Sequence, residues 1–144
     1  MNRRMIMHAE LYRYKNGTVE FLILKRTPED GGFWQPVTGT LEDGEKVLNC
    51  LHREIREETG ISSVLHVSDQ IYQFDWDGDI AGRDLVYAVE VAEDAEVILD
   101  GKEHTEYRWL PLFKALEMLK YQTIKTAMNL VNDYILQREI QPHK

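Results

Sequence analysis

Three glutamates, Glu54, Glu57 and Glu58, stand together in "REIREETGI" at residues 53–61. At about 100° per residue, positions 54, 57 and 58 share one face of a helix. Side chains three or four apart on that face lie roughly 5–6 Å from one another, and each like-charge pair costs a few tenths of a kcal/mol. A divalent cation would turn the repulsion into a ligand set, because hard cations take oxygen donors and Mg2+ is held by a few carboxylates, water and substrate phosphates. Such an ion polarises a phosphoryl oxygen and acidifies an attacking water. The chain carries a net charge of −8, so a polyphosphate brought to these residues needs a bridging cation.

The residues around the glutamates complete a longer pattern. Gly39, Glu45, Arg53, Glu54, Ile55, Glu57, Glu58, Gly60 and Ile61 fit G-x5-E-x7-R-E-U-x-E-E-x-G-U, where U is a bulky aliphatic residue. With ordinary residue frequencies a chance match at a given start is on the order of one in a billion. The pattern is the Nudix box, here residues 39–61, and the chain resembles the Nudix hydrolase family. That resemblance implies an α/β (α+β) fold, a mixed β-sheet sandwiched between helices. It also implies Mg2+ as cofactor, with Mn2+ as the alternative, and Glu54, Glu57 and Glu58 as metal ligands. The family's equivalents of Glu45 and Arg53 support the loop and helix, with the arginine orienting a metal-binding glutamate. Eight helical residues rise roughly 12 Å, so direct contact between these two needs extended side chains or a helix that starts late. Gly39 and Gly60 fit the backbone at the two ends of the helix.

The flanks resemble one branch of the family. "FWQPVTG" (33–39) and "KEHTEYRWL" (102–110) are similar to the corresponding stretches of the dihydroneopterin triphosphate pyrophosphatase, or dATP pyrophosphohydrolase, branch. There the glutamate matching Glu103 supplies a loop carboxylate that binds metal or serves as base, with Glu106 as its neighbouring rival. Glu103 and Glu57 rank first as general base, and with Arg53 they form the candidate catalytic set. Trp34 and Gln35 are candidates for the base pocket, since an aromatic face can stack a heterocycle and an amide can read its edge. Packing in the core or at the rim is the other reading of Trp34. Arg26 and Lys25 end a strand near that pocket and could meet phosphates. The resemblance implies a pyrophosphohydrolase splitting a nucleoside-triphosphate-type substrate into a monophosphate and pyrophosphate. The alternatives are a diadenosine polyphosphate or oxidised-nucleotide hydrolase, or a Nudix nucleotide sensor without catalysis.

The elements that must position these residues follow from periodicity. Ile6–Tyr14 and Glu20–Arg26 read as strands joined at "KNGT". Glu45–Thr59 is an amphipathic helix with Leu48, Leu51 and Ile55 on its apolar stripe, closed by Gly60. "SVLHVSDQIYQFDW" and "DLVYAVEVA" form a hairpin across "DGDIAG", and "TEYRWL" is a last strand. Pro111 opens a helix at its first position, and 123–137 is a C-terminal helix. The 144 residues read as one domain, 1–144.

Composition narrows the partners. A net charge of −8 disfavours nucleic-acid polymers, which are held by basic patches. Cys50 is the only cysteine, so no internal disulfide or cysteine-based zinc site is expected. No signal-peptide core or membrane-spanning run is present, which makes the cytoplasm the default location. The partner expected is a small nucleoside polyphosphate; oligomeric state does not follow. Three other signals lead nowhere. "DWDGDIAGRDLV" (75–86) starts like a calcium loop but has Ile80 and Val86 where Gly and Glu are required. "HAE" (8–10) resembles a zinc deaminase start without the paired cysteines. His104 reads as incidental beside Glu103.

Overall fold

The computed structural model describes residues 3–140. The ends of the 1–144 domain expected from sequence, 1–2 and 141–144, lie outside them. Asn16 and Gly17 both adopt positive φ, 51° and 79°, the conformation whose twist matches that of paired antiparallel strands. Their turn joins β1 (Arg4–Lys15) to β2 (Thr18–Arg26), with Tyr12 opposite Phe21. Beyond that pairing the same edge of β1 takes β4 (Val37–Thr40), with Met7 opposite Gly39. Its other edge runs parallel to β7 (Gly82–Val91), with Ile6 opposite Asp84. The short β3 (Trp34–Gln35) and the long β8 (His104–Leu110) both pair with β2.

The stretch expected to be one strand before β7 divides in two. β5 (Val64–Val67) and β6 (Tyr72–Trp76) pair in turn with the free edge of β7. Ser68 holds the break: its N–H donates to Ala88 O at 3.0 Å and its Oγ accepts from Ala88 N–H at 2.9 Å. The ladder therefore stays satisfied while the chain changes register. The β6–β7 hairpin itself forms across 77–81 as expected.

Side-chain alternation along β1 sends Met7, Ala9 and Leu11 to one face, where they pack with Leu51 and Ile55 of α1 (Val47–Thr59). Tyr12 lies on the other face, packed with Ala115 of α2 (Leu112–Met118) and with Met128, Val131 and Ile135 of α3 (Gln122–Ile140). The sheet is mixed and covered on both faces by helices, the architecture implied by the resemblance. Each fully buried aliphatic side chain contributes about 1.5–3 kcal/mol relative to exposure.

Two helix starts differ from expectation. α1 begins at Val47 rather than Glu45, with Lys46 extended before it. The side chain of Glu45 turns back instead, its Oε1 accepting from the Glu42 N–H at 3.0 Å. Pro111 precedes α2 as its capping residue rather than opening it, and its carbonyl accepts from Ala115 N–H at 3.0 Å. Among the described residues, no helix is long and apolar enough to cross a membrane.

Candidate active site

The late start of α1 brings Glu45 within reach of Arg53. Arg53 Nε and Nη2 donate to the two oxygens of Glu45 at 2.8 and 2.9 Å, a planar fork matched to a carboxylate. The guanidinium holds Glu45 down to about 2, with the Glu42 N–H as second cause. Arg53 Nη1 then donates to Glu54 Oε1 at 2.6 Å and reaches Glu57 Oε2 at 3.4 Å. One arginine thus fixes three acidic side chains of the box.

Gly39 serves a purpose other than the one read from sequence. It lies on β4, well before the helix, and its φ is not positive. A Cβ there would lie 2.5 Å from Glu54 Cδ and 2.9 Å from its Oε2. The missing side chain is the space Glu54 occupies. Gly60 does close the helix, left-handed at φ 72°, its N–H donating to Arg56 O at 2.9 Å.

Glu58 points inward. It is 1% exposed, and neither carboxylate oxygen has a hydrogen-bond partner among the described residues. Burial, followed by the adjoining Glu54 carboxylate and by the charges of Glu103 and Asp100, pushes its carboxyl up to about 11. Glu103 is raised as well, by burial first and then by Asp100 and Glu54. Its backbone is fixed: its N–H and that of Lys102 donate to Asp100 Oδ1 at 3.1 and 2.9 Å, and its carbonyl accepts from Thr27 N–H at 3.2 Å. One donor atom each from Glu58, Glu103 and His104 lies within 4.8 Å of the others. Buried carboxylate oxygens without donors, gathered beside further carboxylates, fit a hard divalent cation, which would restore the ionised form of Glu58.

These groups line a cavity of about 720 Å³, within the range of nucleotide-sized ligand sites. Of the residues expected from sequence, Glu54, Glu58, Glu103, Arg26, Gln35 and Gly39 line it. Glu57 and Trp34 do not. The Glu57 side chain is 58% exposed at the rim, near enough to raise the proton affinity of Glu103. Trp34 packs with the α2–α3 core and lies under Arg108, whose Cζ is 5.1 Å from its ring. Period-two alternation on β3 sends Gln35 into the cavity and its neighbour Trp34 away from it. Lys25 pairs with Glu106 across the β2–β8 ladder at 3.4 Å, which occupies both residues away from the site.

His104 is not incidental. It is 2% exposed, its Nε2 lies 3.7 Å from Glu58 Oε1, and burial lowers its proton affinity. Phe33, Trp76 and Asp84 also line the cavity and were not expected. Phe33 could have been found from the alternation that places Gln35. Trp76 and Asp84 come from the β6–β7 hairpin, which only the pairing of β7 with β1 brings here.

Known proteins share this architecture. The family model described as NUDIX domain matches residues 3–130. An octanoyltransferase of Myxococcus xanthus is 40% identical over 111 residues, 74% of this chain; the chain spans only 30% of that protein's length. The asymmetrical bis(5'-nucleosyl)-tetraphosphatase of Mus musculus is 31% identical over 117 residues, covering 78% of each chain. The dihydroneopterin triphosphate diphosphatase of Escherichia coli is 41% identical over 51 residues, 35% of this chain and 33% of that one. Among solved structures, a C. elegans Ap4A hydrolase superposes with a TM-score of 0.84 at 19% identity, covering 93% of this chain and 98% of that one, a likeness of fold. With its fold, its box and the family model in agreement, the chain belongs to the Nudix hydrolase family.

Proposed function

We propose that the protein hydrolyses a phosphoric anhydride bond of a nucleoside polyphosphate, with Mg2+ as the working cation and Mn2+ as its substitute. The observation that carries this reading is Glu58, a buried carboxylate whose two oxygens have no partner among the described residues, in a cavity that also holds Glu54, Glu103 and Arg26. Glu54, Glu58 and Glu103 hold the cation, with Glu57 at the rim. When bound, the ion neutralises phosphate charge and acidifies a water. Arg53 orients Glu54 through their 2.6 Å hydrogen bond. Glu103, which lines the cavity with Glu54 and Glu58, takes the proton of the attacking water through an oxygen turned from the cation. The water oxygen bonds to phosphorus as the anhydride P–O bond breaks, and the departing phosphate carries the electron pair away. Arg26, whose buried Nε has no partner among the described residues, meets a substrate phosphate.

The leading substrate is a triphosphate, dATP or a dihydroneopterin triphosphate, cleaved to a monophosphate and pyrophosphate. Its support is the likeness of "FWQPVTG" and "KEHTEYRWL" to that branch and the 51-residue match to the E. coli diphosphatase. A bis(5'-nucleosyl) tetraphosphate is the second reading. It is favoured by the tetraphosphatase relatives, which match over 78% of both chains. A panel of dATP, dihydroneopterin triphosphate, 8-oxo-dGTP, ADP-ribose and diadenosine tetraphosphate with Mg2+ decides between them. Release of pyrophosphate from a triphosphate supports the first reading, and preferential cleavage of the tetraphosphate the second. Turnover of none, with tight binding of one, would make the protein a sensor.

A further inference from the structure

Beneath the same cavity lies a second set of buried charges, which the hydrolytic mechanism does not use. His8 on β1 is fully buried. Its Nδ1 lies 3.1 Å from Asp84 Oδ2 on β7, and its Nε2 hydrogen-bonds Glu10 Oε2. Burial alone would strip His8 of its proton; the charge of Glu10 and the hydrogen bonds with Asp84 and Glu10 outweigh it and hold the imidazolium up to about 9. His8 therefore donates from both ring nitrogens. Asp84 Oδ1 accepts a further bond from the indole N–H of Trp76 at 2.9 Å. Trp76 lies flat against Gly82, where a Cβ would come 2.7 Å from the ring Cη2. Phe74 meets His8 edge-on at 6.0 Å between centroids.

Only Asp84 of this triad opens into the cavity, beside Trp76 and Phe74; His8 and Glu10 do not line it. A buried ionic triad is a poor way to stabilise a fold, since apolar residues of equal volume are often as good or better. It is a good way to hold one carboxylate aimed, since His8 and Trp76 each fix one Asp84 oxygen. Each Asp84 oxygen takes one donor from the protein and has room for another. Since both neighbours donate, Asp84 stays a pure acceptor.

We infer that Asp84 is a specificity-determining residue: beside the rings of Trp76 and Phe74 it accepts from the amino or ring N–H edge of the substrate's heterocycle. It selects amino-bearing purines or pterins over rings that offer only acceptors. The inference deepens the proposed function, resting on its reading of a heterocyclic polyphosphate substrate.

The test needs no turnover. Wild-type protein in EDTA is titrated with adenosine, neopterin and purine riboside, following tryptophan fluorescence. A hydrogen bond to a charged acceptor is worth about tenfold or more in affinity. Adenosine or neopterin should therefore bind at least about tenfold tighter than purine riboside, which lacks the amino group. Asp84→Asn should bring that ratio to within about twofold. Equal binding of the three ligands by wild-type protein overturns the inference without recourse to any variant. An unchanged ratio in folded Asp84→Asn overturns it as well. Because binding is read apart from hydrolysis, discrimination by a protein that cleaves no polyphosphate refutes the hydrolase and leaves Asp84's role standing, whereas hydrolysis without discrimination does the reverse.

Discussion

Replacing Glu58 by glutamine should stabilise the metal-free protein while abolishing its activity. Unfolded, this carboxyl titrates near 4.5; folded, burial and the neighbouring Glu54 raise it to about 11. Between those pH values the folded state binds a proton that the unfolded chain does not, so its stability falls as pH rises. The contribution is fully present below pH 4.5 and is lost at about 1.4 kcal/mol per pH unit above it. At pH 7 the wild-type protein has given up about 3 kcal/mol. Glutamine has the shape of the protonated acid and no proton to lose. The melting temperature of Glu58→Gln in EDTA should therefore exceed that of wild type by about 6–12 °C at pH 7, and by little at pH 4.5. Saturating Mg2+ should reverse the order, because only the wild-type side chain gains an ionic ligand bond. Circular dichroism melts from pH 4.5 to 9, with EDTA and then with Mg2+, read all of this. A variant no more stable than wild type in EDTA at pH 8 would refute the argument, since it would mean that Glu58 ionises in the folded protein without cost.

Other substitutions test separate parts of the site. Gly39→Ala should destabilise by about 1–3 kcal/mol through overpacking against Glu54, and should raise the Mg2+ concentration for half-maximal activity; denaturant unfolding and a metal titration measure the two. Arg53→Lys cannot reproduce the fork on Glu45, and a double-mutant cycle with Glu45→Gln in urea should give a favourable coupling, whereas simple additivity would contradict it. Gln35→Ala should raise KM, whereas Trp34→Leu should lower the melting temperature and leave KM within about twofold, because the two side chains leave β3 on opposite faces. Steady-state kinetics beside a thermal melt separates them.

The box could be read from sequence because its chemistry is local. Glu45 and Arg53 are eight residues apart, and their contact needed only a helix that starts late, which α1 does. Local spacing could not say which glutamate of the helix turns inward. Glu57 and Glu58 differ by one step of about 100°, and the packing of α1 on β1 and β4 buries one and leaves the other at the rim. For Trp34 and Gln35 the signal was present, since neighbours on a strand cannot both face one cavity. His104 enters the site because it stands opposite Arg26 where β8 meets β2, a long-range pairing that no short motif encodes. The wall of Trp76 and Asp84 depends in the same way on the parallel register of β1 and β7. The branch resemblance carried by the flanks reaches the E. coli diphosphatase over 51 residues only, while the tetraphosphatase of Mus musculus matches over 117.

The segment between β7 and β8 is tied to the end of α1: Ile98 N–H donates to Thr59 O at 2.8 Å, and Ile98 packs on Gly60. Val97 anchors it further, in the core under the helix. The tether divides the segment into two stretches with different tolerance for changes of length. Insertions between residues 92 and 96 fall outside it and can bulge into solvent without moving Glu103. One residue added between Ile98 and Glu103 falls between the tether and the carboxylate, and it disturbs Glu103 wherever it breaks the bonds that the Lys102 and Glu103 N–H groups donate to Asp100 Oδ1. The reach from helix end to loop carboxylate is thus set by two clasps, the Ile98–Thr59 hydrogen bond and the Asp100 turn, like the jaw of a caliper.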